Sequence, residues 1–313
     1  MKTFFSRFIA VVITAAIFYV LTLWLLLQVQ WGRYPLLYSV LDGSVVKGGD
    51  IHQRFLEFNP DSAYDVIILG SSHAYRGYDC RIFSKEGISA FNLGSSNQTI
   101  QDSYVLAQYV EKKMKHKPLV LIETYYGTIS ENSLESTFFL IPNVKDDGLA
   151  IDLAVEKPDP RLFNALVLRY LNKSKPVLFQ DSTYKPGGYC ENPKEMSDSL
   201  LKLLKNPLPT YKPSKECLEY LTKLLKFLKE KGFPVAVATH PLPLESDHGP
   251  ADLCGKALDS VCRAEGVPFL NFAFKHSLNS QKSFYDSHHM NRGGVNWYNP
   301  EIIKELRNRN LLR

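Results

Sequence analysis

The chain has 313 residues, of which 45% are hydrophobic and 22% charged, enough apolar material to bury a core and too little net charge for disorder. Its formal net charge of +5 suits a bilayer surface or an anionic envelope polymer, while basic stretches interleaved with aromatics, the mark of a nucleic-acid binder, are missing. Length and composition fit one sizeable domain with an accessory element rather than two equal domains.

Residues Phe8 to Gln28 form an almost unbroken apolar run. As a helix at about 1.5 Å per residue it just crosses a bilayer. Lys2 and Arg7 precede it and Trp31, Arg33 and Tyr34 follow, so the positive-inside bias predicts a cytoplasmic N-terminus, with residues 1–34 a retained signal anchor and the rest of the chain outside the cytoplasm. A cleaved signal peptide is the competing reading, against which stand the length of the run and the lack of an Ala-x-Ala-like site. Residues 35–60, interrupted by Gly43, Gly48 and Gly49, read as a juxtamembrane connector.

Val66-Ile-Ile-Leu69 has no polar alternation and predicts a strand covered on both faces, as in a parallel sheet. It stops at Gly70-Ser71-Ser72-His73, which places small polar residues at a strand's carboxyl end, where open α/β sheets bind ligands. An ordinary strand-to-loop turn reads the same way. Ser89 to Leu93 predicts a second strand, Thr99 to Lys115 a helix, and Pro118 to Glu123 a third strand. The lysines between Lys112 and Lys117 fit a solvated helix terminus.

From about Ser130 to Pro213 the strand-helix rhythm stops. A helix from Arg161 to Leu171 and a loop from Asp181 to Tyr189 are recognisable, and the position of the stretch after the third strand predicts a cap over the ligand-binding edge. Order returns with helices over Ser214–Lys231 and Gly249–Glu265, strands over Pro234–Thr239 and Val267–Phe272, and a last helix beyond Pro300. Alternating strands and helices imply right-handed crossovers and a three-layer α/β/α sandwich around five parallel strands.

Near the C-terminus stands Phe284-Tyr-Asp-Ser-His-His-Met-Asn-Arg-Gly-Gly294. If Asp286 and His289 share one helical turn, their spacing puts them on one face, and a carboxylate beside an imidazole can hold the tautomer that a nucleophilic serine needs. His288 is the alternative base; its side chain points elsewhere when its neighbour faces Asp286. The same cluster could be read as a metal site, but three protein ligands with metal-site spacing are not evident, and no metal or other cofactor is expected. The five cysteines, Cys80, Cys190, Cys217, Cys254 and Cys262, show no Cys-x-x-Cys spacing and read as buried thiols.

Taken together, the early Gly70-Ser71-Ser72-His73, the Asn92-Leu93-Gly94-Ser95-Ser96-Asn97 run and the late Asp286-Ser-His-His289 give a sequence that resembles the SGNH/GDSL hydrolase superfamily. Within it, the similarity is to the membrane-anchored branch of DltD-like proteins and polysaccharide O-acetyltransferases. The resemblance covers roughly residues 60 to 300 and matches poorly in the middle. It implies strand order 2-1-3-4-5, Ser72 as nucleophile, His289 as base and Asp286 as its partner. The Ser72 and Gly94 N–H groups become the oxyanion donors. The chain departs from the family at the third block: Ile122-Glu123-Thr124-Tyr125-Tyr126-Gly127 carries no asparagine. Asn97 is close enough in sequence to Gly94 to stand in, although a turn former reads equally well there.

His73, Arg76, Glu123 and His240 are further candidates for substrate contact. Each has a structural alternative: Arg76 could pair with Asp79, and Glu123 could support by hydrogen bonding. The resemblance implies a serine esterase or O-acyltransferase acting on acylated cell-envelope polysaccharide or glycolipid, with a polytopic membrane O-acyltransferase as partner. A noncatalytic glycan-binding or scaffolding role on the same fold is the alternative.

Overall fold

The computed structural model describes residues 1–31, 34–36, 47–171, 177, 180–204 and 211–312. Five parallel strands form the central sheet: β1 (Val66–Leu69), β2 (Ala90–Asn92), β3 (Leu119–Glu123), β4 (Val235–Thr239) and β5 (Phe269–Asn271), in order β2-β1-β3-β4-β5. That is the expected order, with each strand starting and ending within two residues of its sequence-based bounds.

Every residue of β1, β3 and β4 is buried, because helices cover both faces of the sheet. Ile67 and Leu69 point into one core, with α5 (Ile100–Lys113), α10 (Lys215–Glu230) and α11 (His248–Glu265). Val66 and Ile68 point into the other, with α3 (Ser72–Gly77), α4 (Cys80–Lys85) and α12 (Arg292–Asn308). The three-layer sandwich follows from this alternation along one strand.

Three expectations are corrected. The 35–60 connector contains α2 (Gly49–Glu57), whose Ile51 and Phe55 join the first core; residues 37–46 lie outside the description. Gly48 and Gly49 open that helix instead of interrupting a linker. Its Arg54 is fully buried, bonded to Asp50 at 3.1 Å and to the Gly188 carbonyl at 3.0 Å. The last helix begins at Arg292, and Pro300 lies inside it. Proline removes one helical hydrogen bond, and burial of Val295, Tyr298, Ile302 and Leu306 outweighs the loss.

The stretch expected as a cap divides into two parts that brace the sheet from opposite sides. Helices α6 (Glu135–Asn143), α7 (Asp147–Glu156) and α8 (Pro160–Leu171) pack into the first core beside α5. The hairpin Tyr184–Lys185/Tyr189–Cys190 joins the β2 edge instead, Gly187 accepting from Asn92 N–H, and α9 (Asp198–Leu203) follows it. Residues 172–176, 178–179 and 205–210 fall outside the description. All five cysteines are buried and free.

The N-terminal helix α1 (Lys2–Gln28) is long and apolar enough to cross a membrane, a test that a signal sequence also passes. Its C-terminal half meets α8, Leu27 against Leu168 and Tyr19 Oη donating to Asn164 Oδ1 at 2.8 Å.

A buried ion pair fastens the α6–α7 unit to α5. Lys157 Nζ lies 2.9 Å from Asp102 Oδ2 and also donates to Thr99 and Thr137, while Asp102 accepts from Ser136 and Thr137. Removing one partner of such a pair strands the other as a buried charge. Lys157→Met is therefore expected to lower unfolding stability by roughly 3 kcal/mol in urea titration, and a loss below about 1 kcal/mol would show that the pair does not hold this unit.

Candidate active site

The carboxyl ends of β1, β3 and β4 converge with the loop after β5. Between β1 and α3 the chain reverses in two residues, with Gly70 at φ +152°. A Cβ there would sit 2.7 Å from Glu123 Cβ, so both backbone angle and space demand glycine. Ser71 caps α3, and Ser72 is its first residue, so the Ser72 N–H has no helical acceptor and makes no hydrogen bond among the described residues.

Ser72 Oγ lies 2.7 Å from His289 Nε2, and His289 Nδ1 lies 2.8 Å from Asp286 Oδ2. A carboxylate only accepts, so Nδ1 carries the proton and Nε2 offers its lone pair to the serine hydroxyl. The expected helical turn is absent here. Residues 285–289 form a loop closed by a Phe284–Met290 bridge, and Asp286 Oδ1 accepts the backbone N–H of His288 at 3.0 Å and of His289 at 2.7 Å. Burial alone would raise the Asp286 carboxyl; the His289 hydrogen bond, the nearby histidine charges and the backbone donor overrule it and hold the group at about 2. His288 turns away, its Nδ1 2.7 Å from Ser287 Oγ.

Behind Ser72 lies a buried polar network. Glu123 Oε2 accepts from Ser71 N–H at 3.1 Å and from Ser71 Oγ at 3.0 Å. With its proton so used, Ser71 Oγ accepts from His73 Nδ1 at 3.0 Å, which leaves His73 Nε2 bare and, in this buried position, without a partner. Glu123 Oε1 faces His240 Nδ1 at 3.3 Å, and His240 Nε2 donates to the His288 carbonyl at 3.3 Å. Glu123 supports by hydrogen bonding.

Aromatic rings complete the site. His73 stacks on His240 at 4.1 Å between centroids and on His289 at 4.4 Å, and Tyr125 lies against its ring at 4.1 Å. Tyr285 is nearly parallel to His289 on a 5.5 Å separation. Sequence reasoning missed Tyr125 and Tyr285, although each adjoins a motif residue. Burial, reinforced by the other histidines, drives His73 well below the ordinary imidazole range and His288 down to about 4.

Two expected oxyanion donors are otherwise engaged. Gly94 N–H goes to Asn92 Oδ1 at 3.0 Å, part of a lock in which Asn92 Nδ2 holds the Ala74 carbonyl at 2.8 Å. Asn97 is an exposed turn residue with φ 47°, its amide 3.4 Å from Glu135. Arg76 does not pair with Asp79, which binds Arg81 at 2.7 Å; it lies over the rings of Tyr75 and Tyr285.

Two triads bring potential metal donors within 4.8 Å: His73 with His288 and His289, and His73 with Glu123 and His240. Imidazole lone pairs lie in the ring plane. His73 is stacked face to face with His289 at 17° and with His240 at 22°, so in each triad two ring-plane lone pairs run side by side rather than toward one point.

No family model matches the chain, and no curated protein matches it in sequence. Among solved structures it overlaps a protein from Lactobacillus plantarum at 12% identity and TM-score 0.42, over 79% of this chain and 98% of that one. It overlaps phospholipase A1 from Streptomyces albidoflavus at 11% identity and TM-score 0.35, and an extracellular lipase from Streptomyces rimosus at 11% and 0.34, each over 78% of this chain and 99% of the other. At such scores the functional argument rests on the site itself.

The lowered histidines set a pH dependence of stability. An unfolded imidazole takes up its proton near pH 6.5, whereas folded His288 resists until about 4, so unfolding is favoured increasingly as pH falls between those values. His288→Gln is expected to shrink that loss by about 1–3 kcal/mol in denaturant titrations at pH 6.5 and 4, and an unchanged slope would contradict the assigned cause.

Proposed function

We propose that the protein is an SGNH-type serine esterase or O-acyltransferase, tethered by α1 and acting outside the cytoplasm on acylated cell-envelope carbohydrate. One observation carries the reading: Ser72 Oγ, His289 and Asp286 form a continuous hydrogen-bonded chain with contacts of 2.7 and 2.8 Å. His289 takes the serine proton as Oγ attacks the ester carbonyl, and the imidazolium so formed is held by Asp286. Collapse of the tetrahedral intermediate expels the alcohol, which receives that proton from His289, and leaves an acyl-serine. Water or a sugar hydroxyl, deprotonated by the same imidazole, then attacks the acyl group, and Ser72 Oγ leaves with the proton returned by His289, giving hydrolysis or transfer.

The free Ser72 N–H is the donor assigned to the developing oxyanion. A membrane O-acyltransferase that hands over acyl groups fits the proposed location of the domain.

A second reading has its own support. With Gly94 N–H and the Asn97 amide both committed within the chain, the oxyanion site is poorer in donors than the resemblance implies. Such a site suits a glycan-binding or scaffolding protein that grips its ligand without turnover.

Labelling of detergent-solubilised protein with a fluorophosphonate separates the two. Wild type and Ser71→Ala are expected to label, and Ser72→Ala and His289→Ala to lose labelling; correctly folded wild type that stays unlabelled favours the binder. Asp286→Asn should slow labelling by roughly 10³-fold or more, because the amide no longer enforces the required tautomer.

A further inference from the structure

Among the described residues from 47 onward, every other arginine has a carboxylate within 3.9 Å, from Arg54 on Asp50 to Arg309 on Glu305. Arg76 has none, though it is half-buried, where an uncompensated charge is costly. The carboxylates of the site are already committed, Asp286 to His289 and Glu123 to Ser71 and His240. Ring contacts engage the face of the guanidinium, which sits 5.1 Å from the Tyr75 centroid and 5.7 Å from that of Tyr285. A guanidinium donates hydrogen bonds in its plane; the Tyr75 hydroxyl engages one N–H of Arg76, and the remaining donors are left for a planar or tetrahedral oxyanion.

Position gives the charge its meaning. Arg76 follows Ser72 by four residues on α3, which puts the two side chains on one face of the helix with Cβ atoms roughly 6 Å apart. The same Tyr285 that carries Arg76 is stacked on His289. We propose that Arg76 is a specificity residue that binds an anionic group of the substrate, a phosphate or a carboxylate, about one helical turn from the carbonyl attacked by Ser72. The placement relative to the ester rests on the esterase reading above; the anion site itself does not.

Full-length solubilised protein is treated with phenylglyoxal alone, with glycerol 1-phosphate, with glucuronate, or with glycerol, and adducts at Arg76 are followed by mass spectrometry. Arg76 is expected to react ahead of the carboxylate-paired arginines, and one anion to slow it by roughly tenfold while glycerol does not. Protection by the phosphate identifies a phosphodiester-bearing acceptor, and protection by glucuronate a uronate polymer. Equal rates with and without both anions overturn the proposal. Fluorophosphonate labelling of the same samples separates the two claims: protection without Ser72 labelling keeps the anion site and removes the esterase, and labelling without protection does the reverse. With 1-acetylglycerol and 1-acetylglycerol 3-phosphate as paired esters, Arg76→Met is expected to bring the ratio of their kcat/KM values to about one through the KM of the charged ester. A ratio that survives the substitution assigns the charge preference to another group.

Discussion

A single buried carboxylate, Glu123, holds the carboxyl edge of the sheet in its working arrangement. One oxygen takes both donors of Ser71 and the other faces His240, so the turn that presents Ser72 is tied to the end of β3 and, through β3, to β4. The tie needs Gly70, since the carboxylate occupies the space where a side chain would be. It also sets His73, whose one protonated nitrogen bonds Ser71 and whose ring then lies flat against His289. Ser72 is held in place by contacts that its own side chain does not make.

Four imidazoles packed this closely could not all be charged. Burial lowers His73 and His288, while His240 faces Glu123 and His289 bonds Asp286. The His289 ring is stacked with His73 at 4.4 Å and with Tyr285 at 5.5 Å.

The long insertion matters through the loops it touches. Its first helices are pinned to α5 by Lys157 and Asp102, and Glu135 reaches Ser96 at 2.7 Å. Its second part meets the loop on the other side, with Lys194 accepting from Asn291 at 3.0 Å. The loops that flank Ser72 are thereby braced from both faces of the sheet, and this bracing ties up Asn97.

Local chemistry was legible in the sequence. Unbroken aliphatic runs predicted strands buried on both faces, helical periodicity located α5, α10 and α11, and Gly70-Ser71-Ser72 with Asp286-x-x-His289 pointed to three side chains that lie in one hydrogen-bonded chain. These features depend on neighbours within a few residues, where propensity and spacing act. Tertiary structure alone decided what depends on distant partners: that Asp286 and His289 meet in a loop, that Gly94 and Asn97 spend their donors inside the chain, that Pro300 is carried within a helix by the core, and that Tyr125 and Tyr285 sandwich the histidines. Arg76 shows the division most clearly. Its position one turn after Ser72 could be read from the sequence, but its lack of a carboxylate partner among the described residues emerged only once Asp79 was seen to bind Arg81 and Asp286 to bind His289.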